Sequence, residues 1–186
     1  MKLQDVNRRQ ISFVFSLVYV WVVLLHLGAL VFETLIIYPD IFHEVPHSLE
    51  VAMEFMVIRG PGDFFPPVGM LGLLSGGATL IFGWRVKSAR YWILGSVLLM
   101  VTGEFLLSVI YFWPRNTIMF TEGTAVHSAA YLQQTAQEFQ MGHWLRVGAS
   151  AVASMLAFTG FLRLYRDRIS ARIRREISPT DFREEP

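Results

Sequence analysis

Apolar positions in this chain do not recur at the period of a water-facing helix; they run together. Four long blocks stand out, roughly Ile11–Tyr38, Pro66–Trp84, Tyr91–Trp113 and His143–Leu164. Each is near the ~20 residues needed to cross a hydrocarbon layer ~30 Å thick. Three of the four lack the polar stripe that a helix needs on a solvent side. The pattern predicts an all-α, four-transmembrane-helix bundle, with an over-greasy soluble bundle as the weaker alternative. Two long loops, about 39–65 and 114–142, and a short connection at 85–90 join the blocks.

The first loop, "PDIFHEVPHSLEVAMEFMVIRGPGDFFPP", is too long and too apolar for a plain connector. Ser48 is placed to N-cap a short extra helix running through Ile58, with Gly60-Pro61-Gly62 ending it. Such a helix would lie on the membrane surface or fold over the bundle as a lid. In the second span Gly72 and Gly76 form a small-xxx-small pair that lets a neighbouring backbone approach closely. The second loop holds good helix formers and is suited to extend the fourth span outward by several turns. The chain then divides into a membrane domain at 1–165 and a basic cytoplasmic tail at 166–186, with no internal repeat and no soluble domain.

Charge adds a direction. The net charge of +1 hides an asymmetry. Lys2, Arg8 and Arg9 precede the first span. Arg85, Lys87 and Arg90 sit in the short connection. Arg163, Arg166, Arg168, Arg172, Arg174, Arg175 and Arg183 mark the C-terminal end. The two long loops hold only Arg59 and Arg115, beside Asp40, Glu44, Glu50, Glu54, Asp63, Glu122 and Glu138. By the positive-inside rule both termini face the cytoplasm, and the acidic loops face outward from the plasma (inner) membrane. Four spans independently require both termini on one side. The first apolar run is too long for a cleaved signal segment and ends in no small-residue cleavage site, so it reads as a retained span. The tail cations are placed to meet anionic lipid head groups, at about 1 kcal/mol each. No nucleic-acid partner is expected, and a homo-oligomer is an option. The chain has no cysteine, which excludes thiol nucleophiles, disulfide shuttling and cysteine-ligated clusters.

Candidate chemistry comes from ionisable groups inside the spans, where each is costly and needs a partner or a task. His26, Glu33, Glu104 and Arg146 qualify, and His143 sits at a span edge. Glu104 is a lone carboxylate in the apolar run Met100–Trp113. At about 1.5 Å per residue it lies about 21 Å from the Arg90 end, in the outer half of its span. The other groups fall at similar depth. Tyr19, His26 and Glu33 recur every seven residues and share one stripe. Glu104, Ser108 and Tyr111 make a second stripe, and His143, Arg146 and Ser150 a third. Turning all three inward predicts a common polar cavity between spans one, three and four, open to the outside. Arg146 is the expected partner of Glu104, with His26 and His143 as rivals.

Blander readings stand beside this one. Glu104 and Arg146 alone would suffice as a register-fixing ion pair, His26 as a donor to a neighbouring carbonyl, and Glu33 as a group reaching to interfacial water. The joint occurrence exceeds what register needs. His26, His143, Glu33 and Glu104 suit iron or zinc, but no span carries the Glu-x-x-His of bundle di-iron sites. "HEVPH" (His43–His47) has Pro46 where a metal-binding helix would need to continue. A b-type haem would lack a second histidine at mid-membrane depth. The expectation is therefore no cofactor, with metal and haem as weaker alternatives.

Three short motifs, "FETLIIYPDIF", "YFWPRN" and "GHWLRVGAS", together resemble the anthrone-oxygenase-like family of small four-span membrane proteins, over most of residues 11–165. The resemblance implies Glu33, Asn116, Trp144 and Arg146 as family-pattern positions. Its members often carry Asn or His near the fourth-span Trp; here His143 directly precedes Trp144. It also implies cofactor-free oxidation of a hydrophobic aromatic or polyketide-like molecule by molecular oxygen. That chemistry needs a general base, for which His143, His26 or a buried carboxylate would serve, and a fixed cation for the resulting anion, for which Arg146 would serve. The catalytic candidates are thus His26, Glu33, Glu104, His143 and Arg146, and the substrate-facing candidates are Tyr19, Tyr111, Asn116 and Trp144. The aromatic rim of Phe64, Phe65, Tyr111, Phe112, Trp113 and Trp144 suits a flat substrate arriving from the bilayer, although an interfacial belt is the stronger reading for most of them. The alternative function is a non-enzymatic protein that binds a lipophilic ligand or serves as a subunit of a membrane complex. A transporter is a weaker third reading, since no broken-helix repeat is visible.

Overall fold

The computed structural model describes residues 3–177; Lys2, Arg183 and the rest of the expected tail from 178 onward lie outside them. Among the described residues every regular element is helical. Four helices are long and apolar enough to cross a membrane: Asn7–Ile41, Pro61–Gly83, Lys87–Val126 and Ala129–Arg174, spans one to four. Their outward faces remain apolar, with Trp21, Ile81, Ile110 and Met155 each about 70% exposed. Backbone groups satisfied within each helix, together with apolar exteriors, are what a bilayer demands of a spanning segment.

Span one consists of α1 (Leu3–Phe32), a π-helical turn at Glu33–Ile37 and α2 (Tyr38–Ile41). The first long loop carries α3 (His47–Phe55). Span two is α4 (Pro61–Gly83). Span three begins as α5 (Lys87–Leu99) and continues through π-helical segments at Met100–Leu106 and Ser108–Phe112. It is completed by α6 (Trp113–Asn116), a further π segment at Thr117–Glu122 and α7 (Gly123–Val126). Span four is the single helix α8 (Ala129–Ile177). Its 49 residues rise about 73 Å, more than twice the hydrocarbon thickness.

Two local expectations are revised. Gly60-Pro61-Gly62 does not end the loop helix; it starts span two. Proline is favoured at the first helical position, where its missing N–H costs nothing, and Asp63 closes the turn by accepting the Gly60 N–H at 2.9 Å. Ser48 does not cap α3. Pro46 occupies the N-cap position, and the Ser48 hydroxyl reaches back to accept the Glu44 N–H at 3.3 Å. Helix also continues through most of 114–142, leaving only His127 and Ser128 outside helix between α7 and α8. Gly123 takes φ 52°, a left-handed conformation that glycine adopts without penalty.

The bundle packs in layers. Nearest the termini, α1 and α8 are tied by Arg9 Nη1 to Asp167 Oδ2 at 2.8 Å, and α8 runs unbroken past residue 165. A first apolar core follows, built from Tyr19, Val20, Val23, Ile93, Met100, Ala153 and Ala157. Gly76 matters here: a Cβ at that position would stand 2.9 Å from the Tyr19 ring and 2.8 Å from Val97. At the distal end, away from the termini, Tyr38, Leu49, Phe112, Met119, Leu132 and Phe139 build a second apolar core under α3. In spans one, three and four, His26, Glu33, Glu104, His143 and Arg146 fall between these two layers.

Candidate functional site

His26 and Glu33 point to one side of span one because seven residues return close to two full turns. Each of the two acids sits in a π-helical stretch, Glu33 in Glu33–Ile37 and Glu104 in Met100–Leu106. A π turn takes one extra residue. That brings Tyr38, five positions on, back over Glu33, and it brings Phe112 rather than Tyr111 onto the inward face of span three. The inner layer is nearly dry: side-chain exposure is 2% for His26, 6% for Glu104, 11% for Arg146, 9% for Glu33 and 0% for His143.

Two clusters result. In the first, Glu104 Oε2 accepts from Arg146 Nε at 2.7 Å and lies 3.0 Å from His26 Nε2. An ionised carboxylate is an acceptor only, so Nε2 carries the hydrogen and His26 Nδ1 presents a lone pair when the ring is neutral. His26 Nδ1, Glu104 Oε1 and Ser150 Oγ are all buried without a hydrogen-bond partner among the described residues. Rings enclose the cation: Arg146 Cζ stands 5.4 Å from the Phe65 centroid and 5.2 Å from that of Phe112. Phe65 also meets His26 edge-on at 5.3 Å.

The second cluster is a chain. Thr34 donates its hydroxyl to the Leu30 carbonyl at 2.7 Å, so His143 Nδ1, 2.8 Å away, is the donor to Thr34 Oγ1. The Tyr38 hydroxyl lies 3.3 Å from His143 Nε2 and donates to Glu33 Oε2 at 3.1 Å. One proton can therefore reside on His143 Nε2 or on Glu33, with Tyr38 between them as relay. Phe112 packs 5.7 Å from the His143 ring and separates the two clusters.

The structure thus brings His26, Glu33, Glu104, His143 and Arg146 into one layer. Tyr19, Tyr111, Asn116 and Trp144 are not brought there. Tyr19 belongs to the layer below, where its hydroxyl pairs with Ser96 Oγ at 2.7 Å and Ser96 donates to the Ala153 carbonyl. Tyr111 turns away to donate to the Glu138 carbonyl at 2.7 Å, beneath Arg115 at 3.6 Å. Asn116 is part-buried in α6, beyond Phe112. Trp144 is 55% exposed on the outside of the bundle, about 100° around the helix from the inward face that His143 occupies. The polar groups also do not line an open cavity, as expected from the stripes; they are buried against one another and beneath the rings of Tyr38, Phe112 and Phe139. A cavity of about 160 Å³ lies instead in the distal cap, lined by Leu49, Met53, Met119, Phe120 and Leu132, with Glu50 and Glu122 at its rim. Thr34 and Tyr38 had no sequence signal under a 3.6-residue period, because their alignment with Glu33 and His143 depends on the π turn. Among the described residues, no three His, Asp or Glu side chains gather as a metal-ligand group. His43 Nδ1, in "HEVPH", meets the Asp40 carbonyl at 2.7 Å.

Comparison with protein-family models, with curated proteins and with solved structures gives no match to this chain.

Proposed function

We propose that the protein is an integral membrane enzyme that removes a proton from a flat, weakly acidic aromatic molecule dissolved in the bilayer, with His26 as the base. One observation carries this reading: Glu104 holds His26 through Nε2, leaving Nδ1 buried and unpartnered. A carboxylate that fixes one imidazole nitrogen and frees the other is the usual means of orienting a general base. Arg146 is a fixed cation in a low-dielectric layer, where an enolate or phenolate would gather charge. The His143–Tyr38–Glu33 chain supplies a second proton store. The resemblance to the anthrone-oxygenase-like family supports the following step. The substrate anion combines with dioxygen and the returned proton to form a hydroperoxide. Loss of water leaves a carbonyl, so CH2 and O2 become C=O and H2O without a cofactor. The charge asymmetry supports cytoplasmic termini in the plasma (inner) membrane, with the C-terminal cations at anionic lipid. The test is oxygen uptake by purified protein in proteoliposomes with anthrone. His26→Gln and Glu104→Gln are each expected to lose most of the rate; folded variants with unchanged rate would sink the proposal.

The close burial of the charged groups supports a second reading, a non-enzymatic protein that binds a lipophilic ligand or joins a membrane complex, with Glu104–Arg146 fixing helix register. It predicts that Glu104→Gln lowers the melting temperature while a co-purifying lipid or partner, and no reaction, marks the wild type.

A further inference from the structure

The buried clusters raise the question of how a bilayer-dissolved molecule would reach them. Span two packs broadly on span one but lightly on span three, and it lies across the bundle from span four. The seam between spans two and three is therefore the thinnest wall around Glu104. One side chain of span two covers the cluster here. Phe65, part-buried near the distal start of α4, lies edge-on to His26 at 5.3 Å and faces Arg146 at 5.4 Å. Its neighbour Phe64 packs against it at 5.2 Å and is 37% exposed on the lipid side.

The backbone that carries this ring is weakly held. Pro66 and Pro67 lie inside α4 and supply no N–H, so the carbonyls of Gly62 and Asp63 lose their helical donors. Asp63 and Gly60 tie the start of this turn, the Gly60 N–H donating to Asp63 Oδ2 at 2.9 Å and the Asp63 N–H to the Gly60 carbonyl at 3.0 Å. A turn short of two hydrogen bonds is held less firmly than the rest of the span. The Phe65 ring also occupies the contacts that a flat guest would want: an edge on the imidazole and a face on the guanidinium.

We infer that Phe65 is a lateral gate between spans two and three, through which a flat aromatic molecule passes from the lipid to the His26–Glu104–Arg146 cluster. The ring stands in for the guest when the site is closed, and the guest takes over its contacts when the gate opens. This rests on the proposed reading of the site, but its readout does not depend on turnover.

The test uses the full chain in lipid nanodiscs with a bilayer-dissolved trifluoromethyl phenyl diazirine, and separately with a sulfonated, water-soluble analogue. Photolabelling at His26 and Glu104 is mapped by mass spectrometry. In Phe65→Ala, labelling by the apolar probe is expected to rise about tenfold, the population shift from one lost cation–π contact and one lost edge-on ring contact. Phe65→Leu, which keeps apolar bulk but no ring, is expected to rise less, and Phe65→Trp to stay at or below wild type. Ile93, 1% exposed in the lower core, reports general opening; if it rises in Phe65→Ala, Phe65→Leu decides. Labelling of the cluster by the sulfonated probe in wild type would overturn the gate in favour of entry from water. Equal labelling by the apolar probe in wild type and both open variants would overturn it as well.

Discussion

Replacing Arg146 with methionine tests the pairing at the centre of the site. Arg146 and Glu104 meet at 2.7 Å with side chains 11% and 6% exposed. Breaking a buried ion pair from one side typically costs ~3–5 kcal/mol, because the remaining charge is stranded. Here the lower end applies, about 3 kcal/mol, since Glu104 keeps its contact with His26 at 3.0 Å. Methionine retains favourable sulfur–ring contacts with Phe65 and Phe112, so little of the ring packing is lost. Glu104→Gln removes the charge but keeps an amide oxygen that can accept from Arg146 Nε, so its expected cost falls below that range, at about 2 kcal/mol. The double variant removes both charges, and the amide oxygen introduced by Glu104→Gln still accepts from His26 Nε2. Its loss should be about 1 kcal/mol, against about 5 for independent effects. Reversible unfolding in mixed micelles reads all three variants. Additive losses, or an Arg146→Met cost below about 1 kcal/mol, would refute the claim that these charges stabilise each other directly.

Three further outcomes follow from the same geometry. Tyr38→Phe removes the relay hydroxyl between His143 and Glu33 and should cost about 1–2 kcal/mol, measured in the same unfolding assay. Gly142→Ala places a Cβ against the Tyr111 ring, forcing Tyr111 off the Glu138 carbonyl; the expected loss is about 1–3 kcal/mol, seen as a lower melting temperature. Trp144→Ala truncates a side chain that is 55% exposed outside the bundle, so stability should change by less than about 0.5 kcal/mol and oxygen uptake should not change; a marked loss of uptake would return Trp144 to the site.

Apolar runs and charge asymmetry are one-dimensional signals, and the four spans follow from them directly. Glu104 as a lone acid in an apolar run likewise pointed to a cationic partner, and Arg146 and His26 both meet it. The distal half was less legible. Its facing depends on hydrogen-bond register, and an apolar run reads the same whether its helix is α or π. A 3.6-residue period therefore placed Tyr111 inward and overlooked Tyr38, while the π turns present Phe112 and Tyr38 instead. The second long loop was legible in part: its helix formers pointed to an outward extension of the fourth span, which α8 makes from Ala129, but not to the extension of span three as far as Val126. Its polar composition marks it as outside hydrocarbon, but polarity does not end a helix, and helix persists to Val126 and resumes at Ala129. Trp144 and Asn116 entered through a resemblance rather than a facing argument, and burial does not bring them to the cluster.

The proposed function requires that the Glu104–Arg146–His26 layer does chemistry and does not merely hold helices in register. The Arg146→Met/Glu104→Gln double variant separates the two, because its fold is expected to survive while its charges are gone. Oxygen uptake with anthrone should be measured in proteoliposomes at matched folded fraction. A catalytic layer predicts a loss of at least about 100-fold, the lower bound for removing one group positioned to stabilise developing charge, here Arg146. Uptake at the wild-type rate by the folded double variant would contradict it.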